Sequence, residues 1–150
     1  MQNVKVISQY IKTLSFEVPE APGIFLEKKG KPDVEVSIDL DARKINENNG
    51  YEITLKFIAT AKVDKELVLF DLEIIYGGIF TLEGVKDDVL EQMILIYCPS
   101  LLFPYLRRII SNLTSDAGLT PLMINPIDFA ALYNSKKKAV KATPESDSKN

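Results

Sequence analysis

The side chains best equipped for chemistry in this chain are carboxylates spaced two residues apart. Asp39 with Asp41, and Asp71 with Glu73, stand at strand spacing and so project from one face, as an acid–base pair must. Such a pair works only where a pocket drives the two pKa values apart, and these runs read instead as open, solvated strand faces. The chain contains no histidine, which removes His-assisted nucleophiles, most zinc sites and the most frequent general base. Its single cysteine, Cys98, lies between Tyr97 and Pro99 in an apolar run and reads as a buried, inert thiol. Gly30-Lys31 is followed by Pro32, not by the Ser or Thr of a phosphate loop. Gly77-Gly78 matches neither a dinucleotide fingerprint nor a nucleophile elbow, and reads as a bulge or kink in a long strand. Residue chemistry therefore points to a protein that is not an enzyme and uses no metal or cofactor.

The elements that position these side chains change period once along the chain. Ile7 to Val18 ends on the alternation Leu14, Phe16, Val18 before Pro19 and Pro22 break it. Asp33 to Asp41 sets Val34, Val36, Ile38 and Leu40 against Asp33, Glu35, Ser37, Asp39 and Asp41. Tyr51 to Val63 places Ile53, Leu55, Phe57, Ala59 and Ala61 on one face, and Leu67 to Phe80 does the same with Val68, Phe70, Leu72, Ile74 and Tyr76. Val63-Asp64-Lys65-Glu66 reads as a tight hairpin joining the last two strands. The Pro19–Pro32 loop is too long for a hairpin and is expected to cross the sheet.

After Gly84 the spacing becomes helical. Asp87 and Asp88 suit a helix amino terminus, Pro99 is expected to end that helix, and Leu102, Leu106, Ile109 or Ile110, Leu113 and Ala117 stripe a second one capped by Gly118. Asn125-Pro126 predicts the start of a third, striped by Phe129, Leu132 and Tyr133. Strands first and helices after predict an α+β fold, with helices on one face of a four-stranded antiparallel sheet.

With 150 residues, 46% of them hydrophobic and 26% charged, the chain fits one globular domain. Net charge is −3, but from Ser135 onward five Lys face Glu145 and Asp147, so the body before it is the acidic part. An acidic body lacks the clustered basic face of a nucleic-acid binder. Met1–Tyr10 has no signal-peptide pattern, and no run approaches about 18 consecutive apolar residues. The reading is a cytoplasmic protein without membrane insertion, its domain spanning residues 1–134. Residues 135–150 are expected to form the end of the last helix and a polar, disordered tail.

Several segments in register resemble the SecB family of protein-export chaperones. They are Gly77-Gly78-Ile79-Phe80, Tyr97-Cys98-Pro99 with Leu102-Phe103-Pro104-Tyr105, and Asn125-Pro126-Ile127-Asp128-Phe129 with Leu132-Tyr133. Leu14-Ser15-Phe16-Glu17 and Lys31-Pro32-Asp33-Val34 match near the front, so the likeness runs from about residue 4 to residue 134. It implies a bacterial, cytoplasmic, ATP-independent holdase that keeps secretory precursors unfolded and passes them to the translocation ATPase SecA. It also implies a homotetramer built as a dimer of dimers.

Residue by residue, the resemblance implies SecA docking at Glu17 and Glu73, with Asp71 where the family has an apolar residue and Thr13 where it has an acid. The client groove is expected at Phe25 and Leu26 of the crossover loop, with Tyr105, Met123 and Ile124 on the helical side. Leu72, Ile74 and Tyr76 exceed what one small sheet needs and are assigned to an oligomer interface. The family's crossover-loop tryptophan is absent, with Lys28-Lys29-Gly30 in its place. A chaperone dedicated to one partner, such as an antitoxin, is the alternative reading.

Overall fold

Strand β1 (Asn3–Glu17) is followed by the crossover loop, then by β2 (Asp33–Lys44), β3 (Gly50–Val63) and β4 (Leu67–Glu83). A computed structural model of the chain describes residues 3–27 and 30–142, the side chains of residue 3 and of 136–142 excepted; Lys28, Lys29 and the tail beyond Ala142 therefore lie outside it. All strand pairs are antiparallel, in the order β1-β4-β3-β2. Since β1 and β2 hold opposite edges, the loop between them must cross the sheet, as its length predicts. The β3–β4 hairpin closes through Asp64 and Lys65, both at positive φ (54° and 70°).

The alternation of the strands becomes two unlike faces. On the inner face Ile53, Leu55 and Phe57 of β3 and Leu72, Ile74 and Phe80 of β4 are buried. Each such side chain contributes about 1.5–3 kcal/mol by leaving water. The cover is helical: α1 (Asp87–Gln92), a π-spaced turn (Met93–Tyr97) and α2 (Cys98–Asp116) follow without a break. Leu102, Leu106 and Ile110, four residues apart on α2, are fully buried against the sheet.

Pro99 does not end the first helix. Its missing N–H would have bonded the carbonyl four residues back; the chain widens instead, Cys98 N–H reaches the Met93 carbonyl, and the helix continues. The rod Asp87–Asp116, 30 residues at a mean hydropathy of 1.4 in its most apolar window, is long and apolar enough to cross a membrane by those measures alone. Only 28% of that window is buried within the subunit.

Gly118 ends α2 as its sequence position predicts. It has φ 82°, its N–H bonds the Ser115 carbonyl, and Leu119 N–H bonds the Thr114 carbonyl, the paired bonds of a Schellman cap. The third helix, α3, runs Phe129–Ala142. It opens on Asp128, whose carboxylate accepts from Ala131 N–H at 3.0 Å, and not on Asn125-Pro126. Asp128 satisfies an N–H of the first turn that Asn125 is too far back to reach.

Gly77-Gly78 is neither bulge nor kink, because β3 pairs with β4 straight through it. The irregularities lie in β1, between Val6 and Ser8 and between Ile11 and Thr13, and near the β3–β4 hairpin, where Ala61 pairs with Phe70 but Lys62 with Val68. Each glycine serves one face. A Cβ on Gly78 would stand 2.9 Å from Cδ2 of Leu102, so its absence lets α2 approach. A Cβ on Gly77 would stand 3.4 Å from the Tyr10 ring on the outer face.

Candidate functional site

Among the described residues no helix lies over the outer face, which carries the predicted acids in one cluster. Register places Glu17 opposite Asp71, Asp71 opposite Thr60, and Thr60 opposite Glu35, a row across all four strands whose three acids are exposed and whose Thr60 is half-buried. Glu73 stands in the next row, between Ser15 and Ile58. Thr60 Oγ1 donates to Asp71 at 2.9 Å. Lys56 lies 3.5 Å from Glu73, with both side chains more than two-fifths exposed, and such a pair is worth at most about 1 kcal/mol. The cluster thus keeps most of its negative charge toward solvent. Glu35 is a member the sequence reading left out.

Further along the same face lies a carboxylate of another kind. Glu52 on β3 is 6% exposed. It accepts from Tyr10 Oη, from Lys12 Nζ at 3.0 Å and from Arg43 Nε at 2.8 Å. The Tyr10 hydrogen bond, with those of Lys12 and Arg43, holds its carboxyl down at about 2. Burial and the bond to Glu52 push the Tyr10 phenol up to about 12. The sequence reading assigned Glu52 no role. Its signals were Arg43 opposite it in the β2–β3 pair and a glycine on β4 for an aromatic ring to cross.

On the inner side, beyond the reach of α2, the free edge of the sheet forms a groove of about 360 Å³. Val34, Val36 and Ile38 of β2 form one wall, Phe57 lies beneath, and Leu122, Met123 and Ile124 form the other wall. Val36 and Met123 are 54% and 64% exposed. Met123 and Ile124 were expected here. Val34 and Val36 were read only as a strand's inner face, because alternation does not show where a covering helix stops.

The other expected groove residues sit elsewhere. Phe25 packs beside Gly118, where α2 ends and the second wall begins, and Leu26 is 84% exposed next to it. Tyr105 lies toward β1: its ring stacks on Tyr76 at 6.4 Å, and Tyr76 is paired with Ile11. The groove is at the β2 edge, so the five residues do not line one cleft.

Leu72, Ile74 and Tyr76 require a correction as interface residues. They are 2%, 0% and 7% exposed within a single subunit, so they are core. The uncovered apolar strip is one strand away on β1, where Val6, Ile11 and Leu14 are each more than two-fifths exposed, with Tyr105 alongside. Cys98 is fully buried and its thiol is pushed up to about 12 by that burial, which makes it a packing residue. Among the described residues no three of His, Cys, Asp or Glu stand together as a metal would require.

The family described as "Preprotein translocase subunit SecB" matches residues 1–140. This chain belongs to the SecB family. Protein-export protein SecB of Rickettsia akari is 40% identical over 136 residues, covering 91% of this chain and 89% of the relative. That of Rickettsia bellii is 39% identical over the same length and coverage. Among solved structures, the SecB-like chaperone of Mycobacterium tuberculosis in complex with a ChAD peptide from the HigA1 antitoxin has a TM-score of 0.66 at 13% identity, covering 83% of this chain and 90% of that one. At that identity it shares the SecB fold alone. With the family settled by sequence, the protein is a protein-export chaperone.

Proposed function

We propose that this SecB-family protein is an ATP-independent cytoplasmic holdase. It takes unfolded secretory precursors into the groove beside β2 and hands them to SecA through its outer acidic face. The observation that carries the reading is the groove itself. An exposed apolar trough runs along an edge strand whose outer N–H and C=O groups pair with no described strand. Such an edge offers an extended client main-chain hydrogen bonds, while the trough takes alternate apolar side chains. A native client hides both features, so the site selects unfolded chains.

Self-association into a dimer of dimers is part of the same reading. Support comes from the exposed apolar side chains Val6, Ile11, Leu14 and Tyr105 and from the helical rod, whose most apolar window is only 28% buried within the subunit, since exposed apolar patches mark association surfaces. Light scattering should give about four times 16.8 kDa; Ile11→Asp should reduce that mass, and a monomeric wild type would contradict the assembly. The export reading is favoured over a dedicated antitoxin partner by the 40% identity to export proteins, against a 13% likeness that speaks only of fold. Calorimetry with one secretory client tests the groove. Unfolded client should bind with a negative heat-capacity change and native client should not; equal binding of both forms would sink the proposal.

A further inference from the structure

The groove wall opposite β2 belongs to no helix or strand, yet it is pinned to α2 at two points. Thr114, fully buried on the last turns of α2, accepts the Leu122 N–H at 2.9 Å. Its own hydroxyl donates back to the Ile110 carbonyl at 2.9 Å, with the Ser111 carbonyl 3.1 Å away. Arg107, two turns earlier, donates its Nε–H to the Ile124 carbonyl at 2.9 Å. The anchors stand about 10 Å apart along the helix at 1.5 Å per residue. Between them Met123 is free to face the groove. Thus the chain leaves the cap at Gly118, doubles back along α2, and is held by side chains where it has no backbone ladder of its own.

We infer that Thr114 and Arg107 are positioning residues of the client groove, a pair of latches that hold the Leu122–Ile124 wall at a fixed distance from β2. The inference rests on the groove being the client site. A pre-set wall spares the client the ordering of that wall on binding, and so lengthens the bound lifetime. Thr114 carries the larger share. Its replacement by valine keeps the shape but leaves the Leu122 N–H without its acceptor, whereas serine keeps the hydroxyl.

The test compares Thr114→Val, Thr114→Ser, Arg107→Gln and Val36→Asp in the full chain. Two quantities are read: amide hydrogen exchange at Leu122 in the free protein, and the dissociation rate of one fluorescently labelled, slowly folding precursor. Thr114→Val should speed both, with dissociation rising about three- to tenfold, the equivalent of one hydrogen bond. Thr114→Ser should restore both. Arg107→Gln removes the half-buried latch without touching the core, and should speed dissociation less. Faster Leu122 exchange with unchanged dissociation would overturn the inference, as would unchanged exchange in Thr114→Val. Val36→Asp separates the two levels. If it binds client like the wild type, the groove reading itself fails; if it loses client while neither latch variant changes dissociation, only the latch fails.

Discussion

Tyr10 crosses β4 above Gly77 to donate its hydroxyl to the carboxylate of Glu52, two strands away. With Lys12 and Arg43 on the same carboxylate, β1, β2 and β3 are tied together on the outer face of the sheet. The tie has a pH signature. Unfolded Glu52 takes up its proton near 4.5, but the folded carboxyl stays charged down to about 2. Its stabilisation is therefore present above pH 4.5 and lost as pH falls from 4.5 toward 2. Tyr10 runs the other way, contributing below pH 10 and losing that contribution as pH rises toward 12. Glu52→Gln should lower stability at pH 7 by about 1.5–3 kcal/mol, the range for hydrogen bonds to a charged group. It should also flatten the acid limb, as urea unfolding at pH 7 and pH 3 would show.

Gly78→Ala should destabilise the subunit by about 1–3 kcal/mol, the cost of overpacking a filled core. The new methyl would meet Leu102 at 2.9 Å and the Phe80 ring at 3.0 Å, both fully buried and without room to retreat. Thermal unfolding of the variant measures this directly. A neutral result would mean that α2 can lift off the sheet at little cost.

Replacing Asp71 and Glu73 together by Lys should weaken SecA binding at low salt while leaving client binding intact. Both side chains are exposed on the outer face, whereas the groove opens on the inner side of the sheet. Like charges of this kind chiefly speed encounter with a positive partner. The difference from wild type should shrink above about 0.15 M salt, where the screening length is about 8 Å. Surface plasmon resonance at two salt concentrations checks it, and equal binding at low salt would remove this face as the docking site.

What could be read from the residues alone follows the reach of each physical rule. Strand faces were legible because alternation is strict in Val34–Leu40 and Ile53–Ala61, and Gly118 because a left-handed helix end favours glycine. Rules that look a few residues ahead failed where a neighbour compensated. Pro99 is absorbed by the π-spaced turn before it, and Asp128 displaces Asn125-Pro126 as the start of α3. Contacts between distant segments were beyond reach. Nothing local distinguishes Leu72, Ile74 and Tyr76 as core beneath α2 from an interface. Nor does anything local place Tyr10 on Glu52, 42 residues away. Asp71 and Glu73 were placed together by their spacing on one strand, and Glu17 beside them by the resemblance to the SecB family.

The holdase claim is tested most directly by diluting a denatured, slow-folding secretory precursor into the purified protein without nucleotide and following the recovery of its native fluorescence. Wild-type protein in slight excess over precursor should delay that recovery, and Val36→Asp with Met123→Asp should abolish the delay while the variant remains folded. Recovery at the spontaneous rate in the presence of wild-type protein would contradict the account.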